Sequence, residues 1–60
     1  MVLSQLEKIM NDRNMTVEDV CEKTQVMVRT IYSILKGRGC NRNTGVKIAN
    51  GLKVKLTELV

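Results

Sequence analysis

The sequence predicts an all-α fold, a compact bundle of about five short helices in a single domain over residues 1–60. Three observations predict it. The chain has no proline and a single aromatic residue, and it is rich in Leu, Lys, Glu and Met, which lose little freedom in a helix. Its apolar residues recur at three- and four-residue spacings instead of alternating. Between the apolar stretches fall Asn14, Gly37, Gly39 and Asn41, residues that end helices or open turns.

Sixty residues lie near the lower limit for a self-sufficient core. Such a core supplies only about 3–5 kcal/mol unless it is stapled or oligomeric. Cys21 and Cys40 do not make a disulfide framework, and without a histidine there are too few ligands for zinc. They read as reduced thiols of a cytoplasmic protein. No cofactor, metal or small-molecule ligand is implied. No apolar run is long enough to span a membrane, and no secretory leader is evident.

In chain order, Leu3, Leu6, Ile9 and Met10 lie on one stripe of a first helix of about 3–13. Asn14 follows as a left-handed stop. Thr16 is a good N-cap for a second helix of about 17–24, with Asp19 three residues on as a weak capping box. Glu18 and Asp19 suit the dipole at that end. Val17, Val20 and Cys21 point inward. The link to the next helix is only Gln25–Val26 or slightly longer, so the two helices cross steeply, as in a helix-turn-helix.

The third helix, about 28–36, has Val26, Ile31, Ile34 and Leu35 on one side. Its outward positions are Val28, Arg29, Tyr32, Ser33 and Lys36, with no acid among them. Gly37 ends it, and Arg38–Asn41 forms a loop. Asn41 caps a fourth helix of about 42–51, with Val46, Ile48, Ala49 and Leu52 as its apolar positions. Gly45 and Gly51 weaken that helix by about 1 kcal/mol each, and Gly45 can admit a close helix crossing. Lys53–Lys55 is a connector, and Leu56–Val60 a last turn.

Charge is divided along the chain. Residues 1–26 hold Lys8, Arg13 and Lys23 against five acids; residues 27–60 hold seven cations against Glu58 alone. A basic half that begins at an acid-free helix face is the footprint of a nucleic-acid binder. The bland reading of the same residues is an ordinary amphipathic helix with a solvated basic surface.

Three segments carry a family resemblance: MTVEDVCEKTQV (15–26), TIYSILKG (30–37) and KIANGLKVKLTEL (47–59). In that order and spacing the chain resembles the Cro and repressor-type helix-turn-helix family, the λ-repressor-like DNA-binding domains. The resemblance implies that Val28, Arg29, Tyr32 and Ser33 face base edges in the major groove. Arg29 suits either the O6 and N7 acceptors of guanine or a phosphate. Val28 suits a thymine methyl or packing on the second helix. Tyr32 can bond DNA or stay half-buried, and Ser33 can be a filler. Phosphate contacts fall to Lys36, Arg38 and Arg42, and to backbone N–H groups at Val17, Arg42 and Asn43, where helices begin.

The chain departs from the family pattern at several positions. Gln25 stands where glycine is common, Met27 and Lys55 replace capping hydroxyls, and Met10 and Leu35 replace a buried ion pair. Regulators of this type bind as two-fold dimers. Leu56, Leu59 and Val60 are the candidate dimer surface, unless they close the monomer core. The expectation is therefore a sequence-specific regulator of double-stranded DNA, a repressor acting as a homodimer on a symmetric operator. The alternative is a protein-interaction module on the same fold, such as an antirepressor or antitoxin. Nothing in the sequence supports an enzyme: it has no histidine, no activated nucleophile and no phosphate-cradling glycine loop.

Overall fold

The computed structural model describes all residues 1–60 and contains five helices and no strand: α1 (Leu6–Asp12), α2 (Val17–Thr24), α3 (Val28–Leu35), α4 (Arg42–Leu52) and α5 (Leu56–Leu59). The helices enclose one core of eleven apolar residues, from Leu3, Leu6 and Met10 through Val20, Val26, Ile31 and Ile34 to Ile48, Ala49, Leu52 and Leu59. The whole molecule measures only 24 × 22 × 18 Å.

Local chemistry sets most boundaries. The Thr16 hydroxyl accepts the Asp19 N–H at 3.1 Å, and the Asp19 carboxylate accepts the Thr16 N–H at 3.0 Å. The capping box is thus complete, although it uses Asp where Glu is usual. Asn41 caps α4 by accepting the Thr44 N–H at 2.8 Å. Met27 and Lys55 cap nothing with their side chains, so α3 and α5 start bare.

Four helices end in a left-handed residue: Asn14 after α1, Gln25 after α2, Gly37 after α3 and Lys53 after α4. Behind three of them a six-residue backbone bond closes the end, with N–H groups of Met15, Arg38 and Val54 donating to Met10, Ser33 and Ala49. Gln25 closes α2 more simply, donating to the Cys21 carbonyl at 2.8 Å.

The first helix differs from the expected 3–13. It begins at Leu6, because residues 1–5 are drawn away to other parts of the molecule: the Gln5 N–H donates to the Leu59 carbonyl at 2.8 Å. Leu3 still enters the core, from outside the helix. Arg13 is the C-cap of α1, and its Nη1 donates to the Leu52 carbonyl at 2.7 Å, closing the end of α4. Two expectations for α4 also change. Val46 is exposed and not part of its apolar face. The close helix approach occurs at Gly51, where an added Cβ would stand 2.7 Å from the Lys23 carbonyl and Thr24 Cα. At Gly45 the neighbours are flexible side-chain ends, Met1 Sδ and Leu56 Cδ1.

The turn between α2 and α3 is held by Thr24, a buried residue whose part the sequence does not reveal. Its hydroxyl donates to the Val20 carbonyl at 2.7 Å and accepts the Val26 N–H at 3.3 Å. No buried polar side-chain atom lacks a partner. Cys21 is half-buried against the core. Burial, and then the neighbouring Glu18 carboxylate, hold its thiol pKa above the ordinary value, which keeps it a neutral filler.

Candidate nucleic-acid interface

The three-residue turn Gln25–Met27 joins α2 to α3, the connection of a helix-turn-helix. Ile31 and Ile34 anchor α3 in the core, while Val26 is buried just ahead of it and Leu35 is half-buried. That pattern fixes which side faces out. Val28 is 40% and Tyr32 48% exposed, and Arg29 is exposed between them in sequence. Ser33 is half-buried, on the flank of that face. Lys36 is exposed but serves as the C-cap, so the helix ends one residue earlier than expected.

A shallow polar groove of about 340 Å³ runs beside this helix, lined by Arg29, Thr30, Ser33, Cys40, Asn41 and Thr44 among others. It brings together one flank of α3 and the start of α4. Sequence reasoning finds Arg29 and Ser33 but misses Thr30 and Thr44. A signal for Thr30 is present: it follows Arg29 on a helix whose inward face is already filled by isoleucines. For Thr44 the signal is the Asn41 cap, which places Thr44 in the first turn of α4.

The two helix N-termini offered for anions differ electrostatically. At α2 the Val17 N–H makes no bond within the protein, but Glu18 and Asp19 occupy the same turn. Their carboxylates repel a second anion. At α4 the first turn has no acid, Asn41 uses only the Thr44 N–H, and the N–H groups of Arg42 and Asn43 make no bond within the protein. The Arg42 side chain adds a cation there, and Arg38 another on the preceding loop; both are exposed. The α4 start is the stronger anion site.

At the opposite end of the chain, Leu59 is fully buried. Its side chain closes the monomer core, the alternative that the sequence leaves open for these residues. Leu56 is half-buried against the core, and Val60 is 47% exposed.

An all-helical bundle in which a three-residue turn joins α2 to an uncapped, acid-free α3, with the basic start of α4 beside it, defines a helix-turn-helix module. Residues 5–60 match the model of the Cro/C1-type HTH DNA-binding domain, and the chain belongs to that family. No curated protein and no solved structure matches it. No helix is long and apolar enough to cross a membrane.

Proposed function

We propose that this chain is a sequence-specific transcriptional repressor that reads double-stranded DNA with α3 and acts, in the cytoplasm and without catalysis, by occupying an operator. The observation that carries this reading is the exposed, acid-free face Val28–Arg29–Tyr32 beside the basic N-terminus of α4, whose Arg42 and Asn43 N–H groups make no bond within the protein. Val28 suits a thymine methyl and Arg29 the guanine acceptors, worth about 1–3 kcal/mol of base discrimination for a good bidentate pair. Tyr32 and Ser33 flank them. Lys36, Arg38, Arg42 and the N–H groups of Arg42 and Asn43 hold phosphates and set the register without reading sequence. Val17 contributes less, because its helix start is acidic.

A single such helix spans only a few base pairs, so the operator is proposed to be an inverted repeat bound by a homodimer with half-sites about one helical turn apart. Val60, with the open flank of Leu56, is the surface that supports pairing.

Selection of random duplexes by the purified protein, with Arg29→Ala in parallel, tests this reading. The expected result is an inverted-repeat motif whose preference relaxes at one position per half-site in the variant. Recovery of motif-free DNA whose binding fades with salt would instead leave a generic polyanion surface. The exposed Met27 and Val28 would then support a protein partner.

A further inference from the structure

Residues Met1–Gln5 tie together two parts of the molecule that are distant in sequence. At one end the Met1 nitrogen donates to the Cys40 carbonyl at 2.7 Å, and the Met1 carbonyl accepts the Cys40 N–H at 2.7 Å. At the other end the Ser4 hydroxyl donates to the Val60 carbonyl at 3.0 Å, and Gln5 holds Leu59. Between them Leu3 is only 2% exposed, which fixes the segment to the core. Two glycines make room for Met1. A Cβ at Gly39 would stand 3.3 Å from the Met1 carbonyl oxygen, and one at Gly45 would stand 2.9 Å from its sulfur.

The loop held in this way is the one beside the interface. Cys40 lies between Arg38 and Arg42 and lines the groove shared with Arg29 and Ser33. Apart from the Asn41 cap, the loop Gly39–Asn41 has no side-chain bond of its own, and the two Met1 bonds are what fix the backbone at Cys40.

We propose that Met1–Leu3 is a positioning strap for DNA binding. It holds Gly39–Asn41 so that Arg38, Arg42 and the free N–H groups of α4 meet the phosphate backbone together. Binding then does not have to order the loop, which is where the affinity is gained. No strap residue needs to touch DNA. The inference rests on the DNA-binding reading above.

Two variants test it: a chain beginning at Leu3, released by cleavage of a preceding tag, and Gly39→Ala in the full chain. The first removes both Met1 bonds but keeps Leu3; the second keeps every other residue and presses a methyl group against the Met1 carbonyl oxygen at 3.3 Å, which must give by a few tenths of an ångström. Hydrogen exchange of the Cys40 amide reports the strap, and binding to duplex DNA across a salt series reports its consequence. The expected result is loss of Cys40 protection with affinity about fivefold lower at every salt concentration and the salt slope unchanged, because the same phosphates are met once the loop is ordered. Gly39→Ala moves both readouts the same way by a smaller amount, and it carries the test alone if the shortened chain does not fold. Loss of Cys40 protection with affinity unchanged, or a salt slope shallower by about one, which would mean that the removed residues meet phosphate themselves, would overturn the strap and leave DNA binding standing. A full chain that binds no duplex at any salt would overturn both.

Discussion

The least economical residue in the fold is Gln25. It ends α2 at φ 60°, in the left-handed region, where a side chain of its kind costs about 1–2 kcal/mol. Its only return is an exposed bond from Nε2 to the Glu22 carbonyl at 2.9 Å. Asn14 at φ 53° is better suited to that region, because its short amide tolerates it. The Asn14 stop is legible in the sequence for that reason. The strain at Gln25 is legible too, through the expectation of a small residue at that point of the turn. Lys53 at φ 57° is not: nothing about a lysine announces a left-handed cap, and the position follows from how α5 must turn back onto the core. Replacing Gln25 by glycine is expected to raise stability by about 1 kcal/mol, seen as a higher midpoint in chemical or thermal unfolding. A neutral or lower midpoint would mean that the Gln25 side chain does more than its exposed bond suggests.

Helix ends are legible wherever the signal is a capping side chain or a breaker. Thr16, Asp19, Gly37 and Asn41 all act as their chemistry predicts. What local chemistry leaves out depends on contacts between helices. The start of α1 shifts to Leu6 because Gln5 bonds Leu59, more than fifty residues away. Gly51 looks in sequence like a simple weakness in α4, yet it is where the end of α2 lies directly on α4. Propensity and packing therefore make opposite predictions for Gly51→Ala. Alanine would gain about 1 kcal/mol as a helix former. Its Cβ would meet backbone atoms at 2.7 Å, which cannot yield as a side-chain tip would. Overpacking of this kind costs about 1–3 kcal/mol and is expected to win. An unfolding midpoint below wild type supports the tight α2–α4 contact, and a rise would show that the two helices can separate cheaply.

Across the molecule, the division of charge along the sequence survives folding as an asymmetry of the surface. The acids of α1 and α2 are all exposed, Arg29 lines the groove beside α3, and Arg38 and Arg42 stand exposed on either side in sequence of the loop residues that line it. That asymmetry makes the side of the proposed interface legible from residue order alone. The groove itself is not legible in that way, because its walls come from Thr30 and Thr44 on different helices, and a loop strapped by Met1 joins them. The C-terminus shows the same limit. Periodicity does not separate a core residue from a surface one among Leu56, Leu59 and Val60, and only packing shows Leu59 completely enclosed.

In the proposed function, α3 reads the DNA and the start of α4 holds its phosphates, so the two together form the DNA-binding surface. The decisive measurement is a titration of the isotope-labelled chain with the selected duplex, following every backbone amide. The largest shifts are expected at Val28, Arg29, Tyr32 and Ser33, with a second group at Arg38, Arg42 and Asn43 and a smaller response at Val17. Shifts confined to α1, or spread evenly over the basic residues with α3 unmoved, would contradict that assignment.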